Sequence, residues 1–287
     1  MGGMKNDIAC IYHKDCVDGT TAAAVLLKKF PHARAFPLSH GYKKEEIDEI
    51  LDITSLDAHI YIVDSVLGLE EFVAKGNTVT ILDHHISVHE ETKAFVAKHP
   101  TATYHFDNTK SGASLTWSYL FPEEPVPELV RFVEDNDLWI HAFGEATQHV
   151  VNYLSLLRND PYRVCELLDT DIETVKKNGE QLTAYIHSEV ERAILSEPIA
   201  FTIGAYEVPL FNITNHQSAC GNILSTKFDA AVGMYSVSGD EVRLSFRSLS
   251  HHSPSALVLA ELLGGGGHQN ASGARVKLSV FVNHIVH

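Results

Sequence analysis

Carboxylates and imidazoles cluster directly after three of the strands that the sequence predicts. These clusters lie at residues 13–18, at Asp64 and at residues 83–85, and a further acidic group at residues 134–137 closes a helical run. The carboxyl ends of parallel strands share one edge of a sheet, so we expect the clusters to meet there. Carboxylates buried together without counter-charges are costly, and bound cations would remove that cost. Carboxylate and imidazole ligands suit Mn, Fe, Co or Zn better than Ca, and two ions bridged by a carboxylate would form a phosphoryl-hydrolysis site.

Each cluster on its own also has an ordinary structural interpretation. An aspartate after a strand, such as Asp64, commonly caps a turn or a helix. Asp15 and Asp18 could cap a helix that starts at Gly19, and the histidines at 84–85 would alone be a surface pair. The combination is more specific than any member, because the clusters recur at corresponding places in successive βα units.

A glycine-rich motif near the C-terminus is the second candidate for chemistry. It reads GGGGH over residues 264–268 and continues through Asn270 into the small residues 271–273. Glycines permit positive φ and a close approach of the backbone to a ligand, and successive N–H groups can surround an anion. Arg247, in the strand pattern VRLSFRS, would add a guanidinium for phosphate. A flexible linker is the alternative, but it does not explain the residues that follow the glycines.

The elements that must position these residues alternate along the first half of the chain. Runs of β-type sequence separated by helical periodicity occur at residues 8–13, 33–38, 59–64, 78–83 and 103–106. This alternation predicts βαβ units and an α/β fold with a mainly parallel sheet. Residues 125–195 are helical in pattern and include one long helix from 171, which Glu197-Pro198 ends.

Strand and helix patterns return after residue 198 and predict a smaller α/β domain with a mixed sheet. We place the boundary near residues 190–198. Residues 1–190 would then form the domain with the acidic clusters and its helical connector, and residues 198–287 would carry the glycine-rich motif.

Composition restricts the function classes. The 287 residues include 22 basic and 37 acidic side chains, for a net charge of −15, which disfavours binding to a long duplex nucleic acid. A short phosphorylated substrate remains compatible with that charge. No apolar run reaches the ~18–20 residues of a membrane span, and no secretion signal is evident at the N-terminus. Four scattered cysteines are typical of a reducing compartment, so we expect a cytoplasmic protein that does not bind membranes.

The ordered set of motifs resembles the DHH phosphoesterases. Asp83-His84-His85, preceded by Asp64 and by His13 and Asp18, resembles the catalytic domain of that family. Arg247 with the GGGGH and ASG segments resembles the DHH-associated C-terminal domain. The motifs extend from residue 13 to residue 273, so the resemblance covers nearly the whole chain.

The resemblance implies a two-domain hydrolase with two divalent metal ions, usually Mn²⁺. It implies that His13, Asp18 and His84 bind metal and that Asp64 bridges the ions. It further implies that His85 faces the phosphate and that Asp83 orients its neighbour. A later aspartate completes the site, expected at Asp135 with Asp137 as the alternative. The substrate-holding set implied by the resemblance comprises Arg247, Gly265, Gly266, Gly267, His268 and Asn270.

Motif one departs from the family pattern Asp-x-Asp-Gly. Cys16 stands where the earlier Asp is expected, and Asp15 precedes it. Asp15 could bulge inward as the ligand, or Cys16 could bind metal as a thiolate and favour Fe²⁺, Co²⁺, Ni²⁺ or Zn²⁺. Alternatively, Cys16 only packs and the first metal site is weaker.

The function that the resemblance favours is hydrolysis of phosphodiester bonds in short oligonucleotides or dinucleotides by a metal-activated water, with short RNA cleaved from one end. The alternative is a phosphatase for terminal phosphates or phosphoanhydrides, such as 3′-phosphoadenosine 5′-phosphate or short polyphosphate. A nucleotide sensor with a degenerate site and a metal-storage protein are the non-enzymatic alternatives. The expected partner is a short single strand or a small phosphorylated substrate, and a homodimer is compatible with the sequence. Base stacking would need an exposed aromatic side chain in the C-terminal domain, and the candidates are Tyr206, Phe211, Tyr235 and Phe246, each of which is more typical of a packed core.

Overall fold

The computed structural model describes residues 7–54, 58–157 and 160–285. It divides into two compact units, Met1–Thr183 and Ala184–His287. The division falls within one continuous helix, earlier in the chain than the boundary expected near residues 190–198. The α/β fold class with a parallel N-terminal sheet and a mixed C-terminal sheet is confirmed.

The first unit is built on a five-stranded sheet in the order β2-β1-β3-β4-β5. Every pairing in this sheet is parallel. The strands are β1 (Ile8–His13), β2 (Arg34–Leu38), β3 (His59–Val63), β4 (Thr78–Asp83) and β5 (Ala102–Phe106). The strand order reverses direction between β1 and β3, and ligands of such sheets bind beside the carboxyl ends of the strands at that point.

Helices cover both faces of the parallel sheet. They are α1 (Val17–Lys29), α2 (Lys44–Ile53), α3 (Leu69–Ala74), α4 (Ile86–Val96), α5 (Gly112–Leu120), α6 (Glu128–Asp137), α7 (Glu145–Leu156), α8 (Pro161–Leu167) and α9 (Ile172–Ala193). Alternate residues of β1 enter opposite cores: Cys10 and Tyr12 pack on the side of α1, and Ala9 and Ile11 on the side of α2 and α3. Burial on both faces explains why the strands are apolar throughout. Among the described residues, no helix is both long and apolar enough to cross a bilayer.

The second unit contains a six-stranded sheet in the order β10-β11-β9-β8-β7-β6. Its pairings are antiparallel except for β7 with β8, so the sheet is mixed. The strands are β6 (Ile199–Ile203), β7 (Tyr206–Phe211), β8 (Val232–Ser238), β9 (Glu241–Arg247), β10 (Gly266–His268) and β11 (Ala271–Lys277). The helices are α10 (Gln217–Phe228), α11 (Ala256–Glu261) and α12 (Leu278–Asn283). One face of the sheet packs on α11 and α12, and the other packs on α10 and the end of α9.

Candidate metal centre

Asp64 lies at the centre of the acidic cluster, directly after β3. Its backbone is left-handed, with φ 55°. Two glycines leave the space that its buried side chain needs. A Cβ on Gly19 would lie 2.8 Å from Asp64 Oδ2, and one on Gly112 would lie 2.7 Å from Asp64 Cβ. The backbone at the start of α1 and the backbone at the start of α5 therefore lie too close to Asp64 for a side chain at either glycine position.

The Asp64 carboxylate is only partly satisfied by hydrogen bonds. Oδ1 lies 3.2 Å from His84 Nε2, whereas Oδ2 is buried and has no hydrogen-bond partner among the described residues. Burial and the charge of Asp18 raise the pKa of Asp64 to about 7, against the lowering effect of the His84 hydrogen bond. A buried, unpartnered carboxylate oxygen is costly unless a cation compensates it.

His84 contacts three carboxylates through one ring nitrogen. Nε2 lies 3.2 Å from Asp64 Oδ1, 3.6 Å from Asp137 Oδ2 and 3.9 Å from Asp18 Oδ2. Burial by itself lowers the pKa of His84, but the Asp64 hydrogen bond and the nearby carboxylates together raise it to about 9. In the metal-free protein a proton on His84 therefore balances part of the negative charge.

Asp83 positions His85 through a hydrogen bond. Its Nδ1 donates to Asp83 Oδ1 over 2.7 Å, and this hydrogen bond raises the pKa of His85. The Asp83 side chain is fully buried, whereas 47% of the His85 side chain is exposed. The bond fixes the ring so that Nε2 is the nitrogen left for another partner.

Three groups of side chains have ligand atoms within 4.8 Å of one another in this region. They are His13-Cys16-Asp64, Asp64-His84-His85 and Asp18-His84-Asp137. Asp64 belongs to two of these groups and His84 to two. The donors are carboxylates, imidazoles and one thiol, a set that suits divalent transition metals.

Cys16, and not Asp15, is directed toward Asp64. Cys16 is the N-cap of α1, and its Sγ accepts the Gly19 N–H over 3.5 Å. Burial, followed by the charge of Asp64, raises the pKa of the Cys16 thiol. Asp15 has left-handed backbone with φ 59° and is exposed.

Asp18 joins α1 to α5. Its carboxylate accepts the Gly112 N–H over 2.6 Å and the Ala113 N–H over 3.0 Å, at the start of α5. These two bonds orient the carboxylate toward His84 and also satisfy N–H groups that the helix leaves free.

The two aspartates at the end of α6 have different surroundings. The buried Asp135 carboxylate accepts N–H groups from Ala142 over 2.6 Å and Phe143 over 3.5 Å, and a hydroxyl from Thr147. Asp137 instead approaches His84 and Asp18. Burial, followed by the charge of Asp18, raises the pKa of Asp137 to about 6. The geometry thus brings the alternative, Asp137, into the cluster and gives Asp135 a set of donors of its own.

In the second unit, Arg247 is already anchored within its own domain. Its guanidinium donates to Ser218 Oγ over 2.8 Å, to the Phe246 carbonyl over 2.8 Å and to Ser245 Oγ over 3.1 Å. A Cβ on Gly221 of α10 would lie 2.6 Å from Arg247 Cγ, so this glycine leaves room for the stem of the arginine.

The glycine-rich motif forms the edge of the mixed sheet. Gly266, Gly267 and His268 make up β10, which pairs antiparallel with β11. The small residues 271–273 lie in β11, and the turn between the two strands falls at residues 269–270. Asn270 Oδ1 lies 3.4 Å from Ser248 Oγ. Two of the glycines are required by close packing: a Cβ on Gly265 would collide with the Gly273 carbonyl oxygen, and one on Gly267 would lie 2.8 Å from the Ala271 carbonyl oxygen.

Two further arginines face each other beside this edge. Arg243 of β9 lies directly opposite Arg275 of β11, and both are exposed. In the part of the chain that the structure describes, neither forms an ion pair. Like charges in this register repel unless an anion lies between them. They line a concave surface with Gln217, Ser236, Ser245 and Gly265. The alternation of Arg243, Ser245 and Arg247 along VRLSFRS was a period-two signal that could have identified this face.

The second unit also contains a cluster of one carboxylate and two imidazoles, Asp229 with His251 and His252. Each histidine Nε2 lies close to Asp229 Oδ1, at 3.2 Å and 3.3 Å. His252 Nδ1 accepts the Leu249 N–H over 3.0 Å, so the ring proton is on Nε2 and is donated to Asp229. This arrangement is that of a hydrogen-bonded cluster.

Solved structures of two other proteins have a fold similar to that of this chain. Exonuclease RecJ bound to manganese matches 98% of this chain and 88% of its own, with a TM-score of 0.60 and 15% identity. The chain shares the RecJ fold. The pGpG-specific phosphodiesterase PggH from Vibrio cholerae matches 95% of this chain and 94% of its own, with a TM-score of 0.53 and 14% identity. Both likenesses support the DHH-like fold that the motif resemblance implies.

Sequence comparison adds one viral relative. The uncharacterized protein R106 of Acanthamoeba polyphaga mimivirus is 27% identical over 214 residues, which cover 71% of this chain. The chain spans about half, 49%, of the length of that curated relative. No family model matches the chain.

Proposed function

We propose that the chain is a metal-dependent hydrolase that cleaves phosphodiester bonds in short oligonucleotides or dinucleotides. The observation that carries this proposal is the Asp64 carboxylate, which is buried, has an unpartnered oxygen and belongs to two ligand groups. The shared fold adds support, because RecJ is an exonuclease bound to manganese and PggH is a phosphodiesterase.

Two divalent cations suit the donors around Asp64. One would be held by His13, Cys16 and Asp64, and Asp15 has no place in this set. The other would be held by Asp18, Asp64, His84 and Asp137. When bound, such ions lower the pKa of water and neutralise charge on a phosphoryl group. The carboxylates and imidazoles favour Mn²⁺, whereas the Cys16 sulfur would shift the first site toward Fe²⁺, Co²⁺, Ni²⁺ or Zn²⁺.

His85 is the side chain that we assign to the phosphoryl group. Because Nδ1 donates to Asp83, the imidazole can present an N–H at Nε2 when it is protonated, and the Asp83 bond favours that protonated form. A charge-assisted N–H donor would stabilise negative charge that develops on a phosphoryl oxygen. Asp83 acts through His85, as a positioning residue.

Substrate phosphates would be held in the second unit. Arg243, Arg247 and Arg275 supply three cations on one side of the mixed sheet. The edge strand of Gly266, Gly267 and His268 pairs with β11 along one side, so alternate N–H groups on its other side are available to anions. Gly265, which lines the arginine surface, and Asn270 of the adjoining turn complete the proposed set. With 37 acidic side chains in the chain, a short ligand is repelled less than a long one.

A phosphatase for terminal phosphates or phosphoanhydrides is the second candidate. Among the described residues, none of those that line the concave surface with Arg243 and Arg275 is aromatic. Of the aromatic residues expected to stack with bases, Phe211 and Phe246 are buried in the core, Tyr235 is half-buried and Tyr206 is 38% exposed, and none of the four lines this surface. A cationic surface without a stacking ring suits 3′-phosphoadenosine 5′-phosphate or short polyphosphate.

A turnover panel distinguishes these candidates. It compares di- to pentanucleotides, 3′-phosphoadenosine 5′-phosphate and short polyphosphate, each with Mn²⁺, Co²⁺, Ni²⁺ or Mg²⁺. We expect metal-dependent cleavage of the short oligonucleotides by the wild type. Asp64→Asn should abolish it, and Asp240→Asn, an equal change of charge at an exposed residue, should not. Hydrolysis of phosphoanhydrides alone would exclude the phosphodiesterase, and equal turnover by the Asp64 variant would exclude this site.

A further inference from the structure

The turn after α6, residues 138–141, presents an unusual aromatic side chain. Trp139 is 79% exposed, and its ring has an edge contact with His141 at 5.4 Å. Both Trp139 and His141 have left-handed backbone, with φ 55° and 56°. Bulky residues rarely adopt this conformation, and such positions persist where the surrounding structure enforces them. An exposed indole in an unfavourable backbone conformation contributes little to packing.

Asp135 holds this turn in place. Its backbone carbonyl accepts the Ile140 N–H over 3.0 Å and the His141 N–H over 3.5 Å. Its buried carboxylate accepts the next two N–H groups, from Ala142 and Phe143. Four successive backbone amides are thus bonded to one residue, so the indole is carried on an ordered segment.

The same turn begins at the candidate metal centre. Asp137 Oδ2 lies 3.6 Å from His84 Nε2, and Trp139 follows two residues later. Two virtual bonds of ~3.8 Å limit the distance between the Cα atoms of Asp137 and Trp139 to roughly 8 Å. The indole is therefore carried on backbone that adjoins the Asp137 carboxylate of the candidate centre.

We infer that Trp139 is a stacking platform for a nucleobase next to the phosphodiester bond that is cleaved. The inference rests on the proposed function and deepens it, because it names the base as part of what the site recognises. Aromatic side chains bind successive bases of single strands by stacking, without requiring a particular base. A rigid, exposed indole beside a phosphate-cleaving site suits that ligand. A stable protein interface needs ~800 Å² from each partner, more than Trp139 and the adjacent Ile140 provide.

Intrinsic fluorescence gives a direct test, because the chain contains two tryptophans. Trp117 is 3% exposed and stacks on Phe121, so it serves as an internal reference. The probe is a dinucleotide in which a methylene group replaces the bridging oxygen, so that it is not cleaved. We expect it to quench the emission of wild-type protein and to leave the residual emission of Trp139→Ala unquenched. Ile140→Ala, in the same turn, should be quenched like the wild type.

Turnover supplies the second readout. We compare kcat/KM for a dinucleotide with kcat/KM for its abasic analogue. The ratio of the two should fall roughly tenfold in Trp139→Ala and much less in Trp139→Phe, which retains a ring. An unchanged ratio, which includes an equal loss of kcat/KM for both substrates, would overturn the inference while leaving the proposed phosphodiesterase activity intact. A change from dimer to monomer in Trp139→Ala would also overturn it. If the wild type cleaves neither substrate, the proposed function fails, and quenching alone then decides whether a base stacks on Trp139.

Discussion

At the scale of single residues, α1 and α5 can begin close to Asp64 because Gly19 and Gly112 have no side chains. Gly112 begins α5, and a methyl group there would lie 2.7 Å from Asp64 Cβ and 2.9 Å from Asp18 Oδ2. Gly112→Ala should therefore displace Asp64, lower the amount of bound Mn²⁺ and destabilise the fold by about 1–3 kcal/mol.

Urea unfolding and metal analysis test this prediction. Gly266→Ala is the matched control, because a Cβ there meets no atom within 4 Å. Equal stability and equal metal content in Gly112→Ala and the control would mean that the close approach has no role.

The protonation of His84 leads to a pH dependence of metal binding. The metal-free protein has a His84 pKa raised to about 9, an Asp64 pKa raised to about 7 and an Asp137 pKa raised to about 6. A cation must displace these protons, so the apparent affinity for Mn²⁺ should increase as the pH rises from about 6 to about 9. Calorimetry in buffers with different heats of ionisation should detect release of protons. A flat affinity across this range would contradict the assignment of His84 as a ligand.

Much of the site could be predicted at this scale, and the remainder depends on packing. His13, Asp64 and His84 follow strands whose carboxyl ends must meet, so their sequence positions sufficed. Asp135 and Asp137 are the same residue type, but residues two positions apart on a helix are separated by ~200°, so they face opposite sides. Only the packing of α6 decides which side faces His84. The sequence also left open whether Asp15 or Cys16 faces Asp64, because the choice depends on the left-handed backbone conformation of Asp15.

At the scale of elements, the end of α6 carries one aspartate bonded within its own turn, Asp135, and one that we propose as a metal ligand, Asp137. Asp135→Asn replaces a carboxylate oxygen that accepts buried N–H and hydroxyl donors, so it should destabilise the protein by about 2–3 kcal/mol. Asp137→Asn relieves repulsion with Asp18 and should leave the stability of the metal-free protein nearly unchanged, while lowering its affinity for metal. Denaturant titration with and without Mn²⁺ measures both effects. The opposite pattern would restore Asp135 as the ligand.

The turn that carries Trp139 should be strained whatever its role. Trp139→Gly removes the steric cost of the left-handed conformation, whereas Trp139→Ala retains it. After the larger entropy loss of glycine is allowed for, the Gly variant should be more stable than the Ala variant by about 0.5–1 kcal/mol. Urea unfolding of the two variants gives the comparison. A less stable Gly variant would show that the turn does not hold residue 139 in this conformation.

The glycine-rich motif shows why the sequence predicts the conformation of a segment less well than it predicts which residues belong to a site. Repeated glycines indicate either a loop that surrounds an anion or backbones that pack closely, and both require the absence of a side chain. The structure has the second arrangement, with β10 against β11. Arg243 and Arg275 are further anion-binding candidates, and the sequence alone did not identify them because their register across the strands is a tertiary property.

At the scale of the whole molecule, the sequence predicted the fold class because its alternation of strands and helices is regular. The observed sheets have the expected parallel and mixed pairings. The division between the units was harder to predict, because it lies within α9 and a continuous helix carries no local signal for it. The number of histidines, 18, does not indicate which of them belong to the site, because that depends on which ones lie close to carboxylates in the folded chain.

The side chains that converge on Asp64 would hold a pair of ions, so the metal content of the folded protein is the decisive measurement. Wild-type protein equilibrated with Mn²⁺ and freed of excess metal should retain about two ions per chain, as a pair bridged by a carboxylate requires. Asp64→Asn should retain fewer than one while keeping its secondary structure. A wild-type protein that retains no ions, or an Asp64 variant that retains as many as the wild type, would contradict the account.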